Sequence, residues 1–187
     1  MAKVYEFLAD GFEDIEALAP LDILRRGGVE VVTVSIMPTK AVKSAHGVTV
    51  EADEMFHDCN FSDADLLLLP GGMPGASNLN DCEPLRRAIT DHYSKDKKIA
   101  AICAAPLVFG GLGLLKNRRA TCYPGMEHTL EGAQITGELV TVDGNIITGE
   151  CPAAALPFGY CLLEMLTDKT TCQEIADGMR YTHLMER

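Results

Sequence analysis

Three short stretches carry groups suited to thiol chemistry. In "KKIAAICAAPLVFGG" (97–111), Cys103 stands where an apolar strand-like run gives way to a Pro- and Gly-marked helix-like run. A side chain at such a turn stands at the sheet edge, and a helix N-terminus beneath it lowers a thiol pKa by stabilising the thiolate. Ala104 and Ala105 are small enough for the turn to pack closely. In "LLLLPGG" (66–72) the glycines leave backbone N–H groups unobstructed, so an oxyanion could rest between the amides of Gly72 and Ala104. In "GFEDIEALAP" (11–20), Glu16 is flanked by Ile15, Ala17 and Leu18; buried near a thiolate, such a carboxyl keeps its proton and acts as hydrogen-bond donor and general acid. Glu13 and Asp14 read as solvated acids that complement a helix dipole. Each feature also has a plainer reading, Cys103 as an inert core thiol and Glu16 as one more solvated acid, and the residues alone do not bring the two together.

Periodicity supplies the elements that must position these groups. "KVYEFLA" (3–9) reads as a strand, and 14–26 as a helix with acids early, Arg25 and Arg26 late, and Gly27-Gly28 as its stop. "VEVVTVSI" (29–36) is β-branched and strand-like, 46–53 alternates as a short edge strand, and the four leucines of 66–69 predict a strand buried on both faces. A helix over 83–95, a buried strand over 98–102, a glycine-weakened helix over 105–115, a hairpin about Asp143-Gly144 and helices over 152–166 and 171–184 complete the chain. Alternation of this kind predicts an α/β sandwich with a mostly parallel central sheet, and 187 residues that are 47% hydrophobic fit one domain over 1–187. Ligands of such sheets collect beyond the carboxyl ends of the strands, where 10–16, 70–75 and 102–106 fall.

Composition narrows the partners. A formal net charge of −11, with 27 acidic against 16 basic residues, disfavours nucleic acid, and the basic pairs are short and scattered. No apolar run reaches the ~20 residues of a membrane span, and the N-terminus lacks a secretory pattern, so a soluble cytoplasmic protein is expected. Seven cysteines, an odd number with no C-x-x-C pair, suit reduced thiols; neither a disulfide scaffold nor a structural metal site is expected.

Taken together, "GFEDIEALAPLDILRRGG", "LLLLPGG" and "AAICAAP" resemble, in order and spacing, the motifs of the DJ-one/ThiJ/PfpI superfamily, nearest its DJ-one branch, from about residue 3 to 166. The resemblance implies a flavodoxin-like sandwich of the class I glutamine amidotransferase type, usually a homodimer. It makes Cys103 the elbow nucleophile, Glu16 its protonated partner, and Gly72 and Ala104 the oxyanion amides. Three departures stand out. Tyr123, in "TCYP", occupies the position where the branch often has histidine, and Ala104 follows the nucleophile where peptidase-like members carry histidine. Of the five histidines only His128 lies close in sequence to a site loop, and a surface role suits it, so a Cys-His dyad is poorly supported. In "GECPAAA" (149–155), Cys151 replaces the glycine of a typical Gly-Pro pair, as a resolving thiol for Cys103 or as an inert loop cysteine.

Three functions follow from the resemblance. The first is a cofactor-free glyoxalase III or deglycase acting on methylglyoxal, related aldehydes or glycated thiols and amines. The second is a non-catalytic oxidative-stress sensor or chaperone in which Cys103 is oxidised to a sulfinate that Glu16 stabilises. The third is a cysteine peptidase or amidase, which the missing histidines weaken.

Overall fold

In a computed structural model that describes residues 1–186, β1 (Lys3–Leu8) leads into α1 (Asp14–Arg26), and β2 (Glu30–Ser35) follows. A small hairpin, β3 (Ala41–Lys43) and β4 (Thr49–Glu51), precedes β5 (Glu54–Met55) and β6 (Leu66–Leu69). Helices α2 (Gly75–Asp81) and α3 (Glu83–Ser94) lead to β7 (Lys98–Ile102) and α4 (Pro106–Gly111). Strands β8 (Arg119–Ala120), β9 (Gln134–Ile135), β10 (Val140–Asp143) and β11 (Ile146–Gly149) come next, and α5 (Ala155–Leu166), α6 (Lys169–Gly178) and α7 (Tyr181–Met185) end the order.

The central sheet has seven strands in the order β10-β11-β7-β6-β1-β2-β5, parallel throughout except for the β10–β11 pair. Leu66 to Leu69 are each at most 1% exposed, as expected of an apolar run covered by helices on both faces. Helices α1 and α5 pack together, and at Gly159 a Cβ would come within 2.8 Å of Ile23 Cδ1, so glycine permits their approach. Among the described residues no helix is long and apolar enough to cross a membrane.

Several local expectations are corrected. The alternating run at 46–53 is not an edge strand of the main sheet. Ser44 closes a hairpin by donating its N–H to the Val48 carbonyl (2.7 Å) and accepting the Val48 N–H at Oγ (3.0 Å), which pairs β4 with β3 and leaves the sheet edge to β5. The helix expected over 105–115 stops at Gly111, and the chain turns through Gly113 at φ +71°. Arg180, at φ +62°, breaks the run at 171–184 into α6 and α7, while Asp168 starts α6 early by accepting the Thr171 N–H at 2.9 Å. Helix α2 was invisible in the pattern, because only Gly75, Ala76 and Leu79 of it are buried.

Candidate active site

Cys103 is the residue after β7, and its φ of +63° lies in the left-handed region that a non-glycine side chain rarely adopts. The turn is held from both sides: the Cys103 N–H donates to the Gly149 carbonyl (2.9 Å), and the Cys103 carbonyl accepts the Tyr123 N–H (2.8 Å). The side chain thus leaves the carboxyl edge of the sheet where β7 and β11 end, and the residue stays 7% exposed.

Glu16 reaches this thiol from α1. The residue is 0% exposed; Oε2 accepts the Gly71 N–H at 2.9 Å, and Oε1 is buried with no hydrogen-bond partner. The carboxyl stands beside the Cys103 side chain, close enough for each group to shift the other's proton affinity. Gly71 makes the meeting possible: a Cβ there would stand 2.5 Å from Glu16 Oε2 and 2.8 Å from Cys103 Cβ. The helix is fixed to the same loop, since the Glu13 N–H donates to the Gly71 carbonyl at 2.9 Å and the Glu13 carboxylate caps the Glu16 N–H at 2.8 Å. Gly72, at φ +87°, packs so tightly on the Glu13 backbone that a Cβ would collide with it. Glu13 is therefore not a solvated acid. It is 8% exposed and serves as the N-cap, because the first turn of α1 is buried against the 70–72 loop.

The electrostatics follow from burial. Desolvation raises the Glu16 carboxyl to about 7; the neighbouring Cys103 thiol and the Gly71 N–H oppose this, and the nearby Glu13 charge adds to it. Burial also pushes the Cys103 thiol up, a charged Glu16 pushes it further, and the nearby Gly72 and Ala104 amides pull it down. The lowering expected from the helix N-terminus is thus outweighed: α4 has only six residues, and burial is the largest influence. A protonated Glu16 carries no charge to repel a thiolate, so the state of the acid governs how readily the thiol ionises.

Tyr123 anchors the elbow through its backbone and leaves its side chain 46% exposed. All seven cysteines are free, and Cys151 is half-buried with its sulfur 3.8 Å from Glu150 Oε2. His128 is exposed, with Nδ1 3.1 Å from the Gly125 carbonyl. The histidine that sequence reasoning missed is His46. On the β3–β4 turn, its Nδ1 lies 2.9 Å from Asp14 Oδ2 and 3.9 Å from Glu13 Oε1, while Ser44 Oγ donates to Asp14 Oδ1 at 2.7 Å. No spacing signal announces this, because the hairpin folds back over the start of α1 from some 30 positions away. Glu13, Asp14 and His46 bring ligating atoms within 4.8 Å of one another, but their polar atoms already cap the helix and close the hairpin.

A thiol on a left-handed elbow at the carboxyl edge of a parallel sheet, beside a buried carboxyl and a glycine loop, defines an α/β protein built around one cysteine. The DJ-1/PfpI family model matches residues 2–165, and the chain belongs to that family. It is 38% identical over 176 residues to the protein DJ-1 homolog B of Arabidopsis thaliana, covering 93% of this chain and 40% of that protein. The chain thus spans about two-fifths of the length of this relative. It is 34% identical to a deglycase of Pyrococcus abyssi (80% of this chain, 90% of the relative) and 31% identical to a glutathione-independent glyoxalase DJ-1 of Schizosaccharomyces pombe (90% and 93%). The structure of oxidized Toxoplasma gondii DJ-1 superposes with a TM-score of 0.92 at 34% identity, covering 96% of this chain and 98% of that one.

Proposed function

We propose that the chain is a cofactor-free thiol enzyme of glyoxalase or deglycase type that consumes small reactive aldehydes such as methylglyoxal or their adducts with thiols and amines. The observation that carries this reading is the juxtaposition, across Gly71, of Cys103 on its left-handed elbow with a buried Glu16 raised to about 7, a value suited to giving and taking a proton near neutral pH. The names of the Pyrococcus and Schizosaccharomyces relatives agree with it.

In the proposed sequence the Cys103 sulfur adds to the aldehyde carbon, and the thiol proton passes to Glu16. The carbonyl oxygen becomes an alkoxide held by the Gly72 and Ala104 amides, then takes the proton from Glu16 to give a hemithioacetal. Glu16, again a carboxylate, removes the proton from the former aldehyde carbon and returns it to the neighbouring carbon, while the hydroxyl proton moves to the oxygen on that neighbouring carbon, leaving a thioester. Water hydrolyses the thioester, releasing a hydroxy acid and the free thiol, so that one aldehyde and one water give one acid. Tyr123 and Cys151 flank the elbow on its two supporting loops and would border the substrate. A second copy of the chain is part of the proposal, with the exposed Ile15, Leu18 and Val48 near the site available to it.

Purified chain without added cofactor is expected to consume methylglyoxal, and Cys103→Ala to abolish the activity. Absence of turnover by the wild type would overturn the proposal. One observation favours a second reading, oxidation sensing: a carboxyl that holds its proton also donates to a sulfinate, and the Toxoplasma structure is of an oxidized form. Clean gain of two oxygens at Cys103 with no aldehyde turnover would select it. The peptidase reading is weakened by the two histidines missing from the sequence, and the Nδ1 atoms of His46 and His128 lie against Asp14 and the Gly125 carbonyl.

A further inference from the structure

Two cysteines that the proposed reaction leaves unused lie opposite each other in the C-terminal helices. Cys161 on α5 and Cys172 on α6 sit six residues before Thr167 and four after Asp168, the turn that joins the helices. Both are half-buried free thiols, and both line one cavity of about 620 Å³ with Tyr160, Glu164, Met165 and Tyr181. The Cys172 thiol donates to the Tyr160 carbonyl at 3.4 Å, and that carbonyl belongs to the peptide leading into Cys161. None of these residues belongs to the elbow, the 70–72 loop or α1.

We propose that Cys161 and Cys172 form a second peroxide-reactive site, in which the two thiols close an intramolecular disulfide across the α5–α6 hairpin. One thiolate attacks a peroxide oxygen and breaks the O–O bond, giving a sulfenic acid and, with one proton, water. The other thiolate attacks the sulfenic sulfur, the S–S bond forms, and hydroxide leaves and takes up a proton. Two thiols and one hydrogen peroxide become one disulfide and two waters; the sulfurs lose two electrons and the peroxide gains them. The product ties α6 to α5, the helix that packs on α1.

The cavity also sets the rate. Burial, the Glu164 carboxylate and the neighbouring Cys172 push Cys161 up to about 11, and burial and Glu164 push Cys172 up as well. Both groups are therefore thiols at neutral pH, and oxidation is slow until the pH rises or the acid is removed.

The test treats the full chain carrying Cys103→Ala, which removes the elbow thiol, with hydrogen peroxide, alkylates the remaining thiols and maps the peptides. A 161–172 cross-linked peptide within one chain is expected, formed faster at pH 9 than at pH 7, and about threefold or more faster in Glu164→Gln at pH 7. Cys161→Ser should abolish the cross-linked peptide. Complete alkylation of both thiols after peroxide treatment, a disulfide joining two chains, or an unchanged rate in Glu164→Gln would overturn the assignment. Because Cys103 is absent throughout, failure here leaves the aldehyde chemistry untouched.

Discussion

At Cys103 the backbone pays for placement with a left-handed φ that costs about 1–2 kcal/mol in an unsupported residue, and the bonds to Gly149 and Tyr123 hold it there. Glu16 makes that placement useful. Its folded pKa is raised from 4.5 to about 7, so the folded chain holds this proton more tightly than the unfolded one. Its contribution to stability is full below pH 4.5 and is lost as pH rises through 7, a loss of about 3 kcal/mol. Glu16→Gln keeps the shape and an acceptor for the Gly71 N–H but cannot ionise. Relative to the wild type the variant should gain on the order of 3 kcal/mol in urea unfolding between pH 4 and pH 9, while aldehyde turnover falls on the order of 10²-fold or more. An identical pH slope in the two proteins would contradict a buried acid at this position.

Elements explain why parts of the site were legible and parts were not. The elbow could be read because a buried strand meeting "CAAP" changes periodicity at one residue, and the strand at 98–102 and the start of α1 lie where those patterns place them. Burial of Glu13 could not be read, since an acid at a helix start looks the same whether it faces water or a glycine loop. His46 was hidden for a related reason: a hairpin with alternating residues reads as one strand unless the closing role of Ser44 is known. The N-cap gives a direct check. Glu13→Ala removes the acceptor for the Glu16 N–H and should cost about 1 kcal/mol in chemical denaturation. Because the Glu13 charge also helps keep Glu16 protonated, the acidic limb of any pH-rate profile should move to lower pH; a variant that loses stability without that movement would separate capping from electrostatics.

Across the whole molecule a second acid stands apart from the catalytic proposal. Glu6, in the middle of β1, is 1% exposed, and both its carboxyl oxygens lack hydrogen-bond partners. Burial raises its pKa well above the usual range, Arg25 opposing and Asp53 adding to the shift, so the folded chain carries it neutral and is penalised as pH rises through that raised value. Glu6→Leu should therefore be more stable than the wild type, with a larger gain at pH 8 than at pH 5 when thermal midpoints are compared. Equal gains at the two pH values would mean that the carboxyl is not the titrating group.

The two borders of the sheet constrain how copies of the chain can meet. On one side β5 offers only two residues, and the Lys40 ammonium bonds the Asp53 carbonyl beside it; on the other, β10 ends at Asp143, whose carboxylate is held by Arg118 and by the Arg119 N–H. A border so short or so tied up gives a foreign strand little main chain to zip onto. If copies of the chain pair, the contact is expected to run through side chains on the helices and the β3–β4 hairpin and not through a shared sheet.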